Sequence, residues 1–117
     1  MLVNHITLFN FDLTASTAAF VVHLDPMIHI ARIGENVTFK CTVTGSSPFN
    51  VHARWYNKTH LTLNSSNLTE DNNILSLLVT IMTDEDYQDY ICAVSNNNNT
   101  IFTATAVLSK LMHIQLL

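Results

Sequence analysis

Two cysteines, one tryptophan and one tyrosine constrain the fold of this chain more than any other residues. Cys41 and Cys92 are the only cysteines, and they lie 51 positions apart. Trp55, the only tryptophan, follows the first cysteine by 14 positions, and Tyr90 precedes the second by two. A bridge across that loop would stabilise a fold by roughly 4 kcal/mol through lost unfolded-state entropy. Two reduced thiols buried in a core are the alternative, and the spacing alone leaves both open.

Alternation of apolar and polar residues dominates the chain, and no long stretch has the 3.6-residue period of a helix. Such alternation is typical of half-buried strands with the apolar side inward. It predicts the following inward residues: Val37, Phe39, Cys41 and Val43; Phe49, Val51, Ala53 and Trp55; Leu77, Val79 and Met82; Tyr90, Cys92 and Val94; Phe102, Ala104, Ala106 and Leu108. The chain is therefore predicted to be all-β, with about seven to eight strands at the spacing of a β-sandwich.

Turn residues predict where the first strands are interrupted. The stretch 20–33 reads as one or two edge pieces broken at Asp25-Pro26, because proline cannot donate to a sheet ladder. Residues 57–73 are polar and rich in turn formers, so they predict at most a short strand at 60–63.

Two further turns are predicted in the second half of the chain. Thr83 is expected to cap a single helical turn over 84–86, whose acidic side chains suit the positive end of the turn dipole. The asparagines at 96–99 predict a hairpin tip, because asparagine tolerates left-handed backbone conformations.

The second half of the chain also carries a family signature. Six residues follow the spacing L-x-V-x-x-M-x-x-x-D-x-x-x-Y-x-C: Leu77, Val79, Met82, Asp86, Tyr90 and Cys92. With Cys41 and Trp55, this pattern resembles an immunoglobulin superfamily domain over about residues 20–110. The cysteine spacing is similar to that of the intermediate (I-set) type.

The resemblance implies an immunoglobulin-like β-sandwich of two packed antiparallel sheets. A Cys41–Cys92 disulfide would join the sheets, with the Trp55 indole packed on it and the Tyr90 hydroxyl bonded to the turn around Asp86. The sequence departs from the family pattern at Gln88, where glycine or alanine is usual, so a more crowded turn is expected. It also has no arginine between 55 and 86, which favours the intermediate type over the variable type.

The predicted domain is flanked by short segments. Residues 1–19 are interpreted as a linker, a fragment end or a poor leader, because polar residues interrupt the apolar stretch and no basic residue precedes it. Residues 20–110 are predicted to form the domain, and 111–117 are predicted to form a C-terminal tail. A disulfide predicts an extracellular or cell-surface location. No segment is apolar for long enough to span a membrane, so any anchor is expected outside this chain.

Composition argues against several function classes. Charged residues make up 12% of the chain, and its five cations are scattered, so no nucleic-acid partner is expected. The six histidines lack ligand spacing, so neither a metal nor a cofactor is expected. The acidic residues at 84–86 fit a capped turn better than a calcium site. The sequence shows no nucleophile–base pair and no glycine-rich phosphate loop. Neither an enzyme activity nor a small-molecule substrate is therefore expected.

Asn-x-Ser/Thr sequons are the most frequent modification signal. Their asparagines are Asn36, Asn57, Asn64, Asn67 and Asn98, all at predicted strand ends or loops. We expect three or more to carry N-linked sugar if the chain is secreted, with Asn64 and Asn67 competing because they are so close.

One sheet face is the remaining candidate for function. Its predicted outward residues are His52, Arg54, Tyr56, Asp89 and Ile91. Arginine and aromatic side chains dominate binding hot spots. The alternative is an ordinary sheet face, since single exposed apolar residues are common.

The leading functional prediction is an extracellular recognition module of an adhesion molecule or receptor ectodomain. It would bind a protein, either a copy of itself or another chain, without catalysis. A structural spacer in a tandem immunoglobulin array is one alternative. A secreted, glycosylated decoy or surface antigen is the other.

Overall fold

The computed structural model describes residues 20–97 and 99–111, so the segment 1–19 and residues 112–117 of the tail lie outside the described residues. The described part contains eight strands: β1 (Phe20–Asp25), β2 (Ile28–Ala31), β3 (Asn36–Gly45), β4 (Asn50–Tyr56), β5 (Thr62–Thr69), β6 (Ile74–Thr80), β7 (Asp89–Asn96) and β8 (Asn99–Lys110). A 3-10 turn at Asp84–Asp86 precedes β7. The predicted all-β chain with seven to eight strands is confirmed.

The strands form two sheets that pack face to face. One has three strands in the order β1-β3-β6, and the other has five in the order β2-β8-β7-β4-β5. Neighbouring strands are antiparallel except for β2, which runs parallel to β8. The predicted break at Asp25-Pro26 is confirmed, because the chain crosses from one sheet to the other between β1 and β2. The sandwich architecture is as the sequence predicts.

A disulfide and a group of aromatic rings lie between the sheets. Cys41 on β3 is bonded to Cys92 on β7, which links the two layers covalently. The Phe39 ring centroid lies 6.1 Å from that of Trp55 and 5.9 Å from that of Tyr90. These side chains are almost fully buried. Removing each large apolar side chain from water stabilises the fold by roughly 1.5–3 kcal/mol.

The turn before β7 is held by its own side chains. The Thr83 hydroxyl accepts a hydrogen bond from the Glu85 N–H at 3.3 Å, as predicted for a capped turn. The Asp86 carboxylate accepts from the backbone N–H groups of Met82 and Thr83 at 2.7 and 3.0 Å. The Tyr90 hydroxyl donates to the Asp86 carbonyl oxygen at 2.7 Å, which is the geometry of a tyrosine corner.

The predicted inward position of Met82 is wrong, and Ile81 is buried in its place. Met82 is 69% exposed, whereas Ile81 is 0% exposed. Strand β6 ends at Thr80, but Ile81 still donates its N–H to the Glu35 carbonyl oxygen at 3.0 Å. The alternation that buries Leu75, Leu77 and Val79 therefore continues for one more residue, and Met82 turns outward.

Strand β5 is longer than predicted. The expected strand covered 60–63, whereas β5 spans Thr62–Thr69 and pairs with β4 from Asn50↔Thr69 to Tyr56↔Thr62. Only Leu68 of this strand is buried. The strand is held by backbone hydrogen bonds at the sheet edge rather than by apolar side chains, so hydrophobic alternation could not reveal it.

Candidate functional site

The outward residues predicted on β4 and β7 lie on one face of the five-stranded sheet. We call His52, Arg54, Tyr56, Asp89 and Ile91 the β4–β7 face. Their neighbours along the strands point the other way, because Val51, Ala53 and Trp55 are buried between the sheets. Tyr56 lies directly opposite Ile91 in the β4–β7 register. The strand pairing thus brings an aromatic and a branched aliphatic side chain together at the surface.

A cation and two rings are stacked along this face. The Arg54 guanidinium carbon lies 4.2 Å from the centroid of the Tyr56 ring. The His60 ring stacks on Tyr56 from the loop, with centroids 5.8 Å apart and an interplanar angle of 21°. The Arg54 Nη1 also donates to the Thr62 hydroxyl at 3.3 Å. These contacts hold the rotamers of Arg54 and Tyr56 in place, so less side-chain entropy would be lost on binding.

Sequence reasoning missed the part that His60 plays. His60 has a φ of 63° and is preceded by a turn in which its N–H donates to the Asn57 carbonyl oxygen at 2.8 Å. That left-handed conformation carries the ring back over Tyr56. A histidine at positive φ is uncommon, and its neighbours in the sequence give no signal for it.

The middle of the face is more covered than its sequence suggests. Ala93 lies opposite Arg54 on β4 and Thr103 on β8. Strand alternation between the buried Cys92 and Val94 places it on the outer face, yet it is only 5% exposed. Its methyl group is short, and longer side chains flank it on both neighbouring strands. Ala93 therefore adds little accessible surface, and Arg54, Tyr56 and Ile91 form a partly exposed centre between the exposed His52 and Asp89.

The His52 end of the face borders strand β5. The Nδ1 of His52 lies 3.1 Å from the Asn67 Oδ1, at hydrogen-bond distance. The Ser95 hydroxyl donates to the His52 carbonyl oxygen at 3.4 Å. At the other end, Asp89 is exposed on β7. The face therefore carries polar groups at both ends and apolar and aromatic groups between them, which is the layout of a protein interface.

A separate open cleft of about 310 Å³ lies between the edges of β5 and β6. Its apolar walls include Leu63, Leu77 and Val79. Gln88 also lines it, and its Oε1 is buried without a partner among the described residues. The Gln88 Nε2 donates to the Glu85 carbonyl oxygen at 3.0 Å, so the larger side chain fits the turn by folding back on it.

Four of the five sequon asparagines lie among the described residues, and Asn98 does not. Asn36 begins β3, and Asn57 directly follows β4. The prediction that all sequons lie at strand ends or loops is wrong for Asn64 and Asn67, which are inside β5. Because β5 is an edge strand, both asparagines are nevertheless exposed.

The described residues offer neither a metal site nor a membrane-spanning helix. In 20–97 and 99–111, no group of three or more histidine, cysteine, aspartate or glutamate residues is arranged to hold a metal ion. Over the same residues, no helix has the length and apolar character needed to cross a membrane.

Several solved structures of immunoglobulin domains have a backbone similar to that of this chain. An I-band fragment of titin aligns over 80% of this chain and 32% of its own, with 20% identity and a TM-score of 0.57. The N-terminal four immunoglobulin domains of Dscam1 align over 76% of this chain and 20% of theirs, with 22% identity and a TM-score of 0.54.

A twitchin kinase fragment from C. elegans aligns over 90% of this chain and 23% of its own, with 19% identity and a TM-score of 0.61. The chain thus spans about a third or less of each of these structures. At these identities the likeness concerns the fold alone.

Comparison with protein sequences gives the family. No curated protein matches the chain. The family model described as an immunoglobulin domain matches residues 21–96, which include both cysteines, Trp55 and the tyrosine corner. The two-layer sandwich and the Cys41–Cys92 bridge agree with that match. The chain therefore belongs to the immunoglobulin domain family.

Proposed function

We propose that this domain is an extracellular recognition module of an adhesion molecule or receptor ectodomain, and that it binds a protein partner through the β4–β7 face. The observation that carries the proposal is the stack of Arg54, Tyr56 and His60 beside Ile91. Arginine and tyrosine are enriched at hot spots because they combine apolar area with directional polar groups.

The chemistry of this face favours a protein over other classes of ligand. Its centre is a broad strand surface rather than a concave pocket, and small molecules bind mainly in pockets. Its single arginine gives too little positive charge to track a phosphate backbone. A half-buried tyrosine held by a stacked cation suits a partner that brings its own apolar side chains.

The disulfide and the sequons support an extracellular setting. Disulfides persist in oxidising compartments and are rare in the cytosol. The exposed positions of Asn36 and Asn67 are compatible with N-linked sugar, which is added in the secretory pathway. With few charged side chains, the domain would gain solubility from such sugars.

The test compares two double variants of the secreted domain. One is Arg54→Ala with Tyr56→Ala, which removes the stack. The matched control is Lys40→Ala with Leu78→Ala, which removes a cation and an apolar side chain from the exposed face of the three-stranded sheet. Fluorescent tetramers of each are applied to a panel of cultured cells, and self-association is measured by sedimentation equilibrium.

We expect the stack variant to lose at least tenfold in cell binding or in self-association, and the control to keep both. Circular dichroism and thermal melting establish that both variants remain folded. Equal binding by the stack variant and the wild type would overturn the proposal. So would a wild-type domain that binds neither cells nor itself.

A spacer role is the second candidate, and the path of the chain favours it. Phe20 lies beside Gly45 at one end of β3, whereas Lys110 lies beside Ala31 near the other end. Strand β3 has ten residues and spans roughly 30 Å. A domain that is entered at one end and left at the other can extend a tandem array. A wild-type domain without any binding would support this candidate.

A further inference from the structure

The two sequon asparagines of β5 differ in whether the amide nitrogen Nδ2 makes a hydrogen bond to the protein. We propose that Asn67 carries the N-linked glycan of this strand, while Asn64 stays unmodified as a hydrogen-bonding link between the two sheets. The inference rests on the secretory location in the proposed function, but it concerns a different property of the domain.

The chemistry of the modification makes the amide nitrogen decisive. Transfer joins Nδ2 to the anomeric carbon of an oligosaccharide donor activated as a lipid diphosphate. The bond from that carbon to the diphosphate oxygen breaks, the lipid diphosphate leaves, and Nδ2 loses one of its two protons to solvent. In the folded product, the space beside Nδ2 must therefore be open to a sugar.

Three described sequon asparagines meet this requirement by turning their Oδ1 toward the protein. The Asn36 Oδ1 accepts from the Thr80 hydroxyl at 2.8 Å, and the Asn57 Oδ1 accepts from the Thr59 N–H at 3.0 Å. The Asn67 Oδ1 faces the His52 Nδ1 at 3.1 Å. Among the described residues, no hydrogen bond engages Nδ2 of these three asparagines.

Asn64 differs from these three because both atoms of its amide, including Nδ2, make hydrogen bonds. Its Nδ2 donates to the carbonyl oxygen of Ser76 at 2.7 Å, and its Oδ1 accepts from the Ser65 N–H at 3.0 Å. In the β4–β5 register, Asn64 lies opposite the buried Trp55, whereas Asn67 lies opposite the exposed His52. The two asparagines therefore face opposite sides of the same strand.

The Asn64 bond closes part of an open sheet edge. Val43 N–H donates to the Asn73 carbonyl and Ile81 N–H donates to the Glu35 carbonyl, so the odd-numbered residues of β6 form the hydrogen-bonded pairs with β3. Because these pairs alternate along an antiparallel ladder, the carbonyl of Ser76 points away from β3. Asn64 reaches across from the other sheet to satisfy it. A sugar on that nitrogen would lie against β6 and disturb the link.

The location of Asn67 has a consequence for binding. This residue borders the His52 end of the β4–β7 face. A glycan on its Nδ2 would cover that end of the face.

The test is glycan mapping on the full chain, secreted from cultured mammalian cells behind a cleavable leader. Enzymatic release of the sugar in ¹⁸O water marks each occupied asparagine for peptide mass spectrometry. Two variants remove one sequon each without changing an asparagine: Ser66→Ala for Asn64 and Thr69→Ala for Asn67. We expect Thr69→Ala to lose one glycan and Ser66→Ala to lose none.

A second measurement tests the structural role of Asn64 without sugar. The enzymatically deglycosylated domain is compared with its Asn64→Ala and Asn67→Ala variants. We expect Asn64→Ala to lower the Tm by roughly 5 °C, because a hydrogen bond is lost and a carbonyl is left without its partner. Asn67→Ala is expected to stay within about 2 °C of the wild type.

The outcomes separate this inference from the proposed function. Sugar on Asn64, or equal Tm values for the two variants, would overturn the inference and leave the proposed function standing. A secreted wild type with no sugar at any sequon would overturn the inference too. The binding measurement on the Arg54→Ala, Tyr56→Ala variant tests the proposed function alone, whatever the glycan map and the Tm values show.

Discussion

The indole nitrogen of Trp55 donates a hydrogen bond to the carbonyl oxygen of Leu75 at 2.9 Å, between the two sheets. Trp55 lies on β4 of the five-stranded sheet and Leu75 on β6 of the three-stranded sheet. The bond is buried, so no water competes for it. The layers are therefore linked by a polar bond as well as by the Cys41–Cys92 disulfide.

Replacing Trp55 by phenylalanine should destabilise the domain by about 2–4 kcal/mol. The change removes the bond to Leu75 and leaves space in a packed core. Urea unfolding followed by circular dichroism measures the effect as a lower midpoint at an unchanged slope. Leu61→Ala is the control, because Leu61 is 61% exposed and its truncation should cost less than about 0.5 kcal/mol. Equal midpoints for the two variants would contradict the role given to the indole.

Removing the disulfide should cost roughly 4 kcal/mol. The Cys41–Cys92 bridge closes a loop of 51 residues in sequence separation, and its loss restores that entropy to the unfolded chain. The Cys41→Ala, Cys92→Ala double variant is compared with the wild type by thermal melting, with and without reductant. Reductant should lower the Tm of the wild type to near that of the variant and leave the variant unchanged. A variant that melts at the oxidised wild-type temperature would show that the bridge contributes nothing.

Tyr90 should make the domain less stable in alkaline solution. Burial, and next the nearby Asp86 carboxylate, raise the pKa of the Tyr90 phenol above its ordinary value of 10.0. The unfolded chain therefore loses this proton at lower pH than the folded chain does. The stabilisation is complete below pH 10 and is lost as the pH rises through the raised folded pKa.

The Tyr90→Phe variant provides the comparison. It should lose about 0.5–1.5 kcal/mol at neutral pH, because its hydroxyl bond to the Asp86 carbonyl is missing. The difference from the wild type should shrink above pH 10. Denaturant unfolding at a series of pH values measures both effects, and parallel curves for the two proteins would contradict the alkaline prediction.

Glu70 should titrate below its ordinary range. The Ser47 hydroxyl donates to the Glu70 carboxylate at 2.6 Å and is the largest cause of the lowered pKa, with the Phe49 N–H contributing at 3.3 Å. The small stabilisation from this group is present above pH 4.5 and is lost as the pH falls through the lowered folded pKa. In Ser47→Ala the Glu70 pKa should move upward. Carbon-detected NMR titration of the carboxyl group measures it, and an unmoved value would exclude the hydroxyl as the cause.

Much of the fold was predictable because the apolar residues alternate and because Cys41, Trp55, Tyr90 and Cys92 keep the order and spacing of the family. The hairpin tip is an example: Asn96 pairs with Asn99, and Asn97 takes a φ of 55°, as an asparagine turn predicts. Strand β5 was not predictable in the same way. Its asparagines and serines have low strand propensity, and the strand forms because the edge of β4 offers unpaired backbone groups.

The candidate face was predictable only in part. Strand alternation identified Arg54, Tyr56 and Ile91 as outward, since outward residues follow directly from inward ones. The ring of His60 and the amide of Asn67 join the face through tertiary contacts with Tyr56 and His52. His60 reaches the face through its left-handed backbone conformation, and Asn67 reaches it from the edge strand β5. Neither feature produces a periodic pattern in the sequence.

The placement of Phe20 and Lys110 at opposite ends of the domain has a mechanical consequence. A force pulling on Phe20 and Lys110 would shear the parallel β2–β8 pair along its length, because it loads β2 through its first residue and β8 through its last, at opposite ends of the pair. Shear loads several hydrogen bonds together, whereas peeling breaks them one at a time. Beyond that first rupture, the covalent crosslink keeps residues 41–92 from extending, so only the segments outside it can lengthen. Formation of the Cys41–Cys92 disulfide would thus limit how far this domain stretches under load, and its reduction would allow residues 41–92 to extend as well.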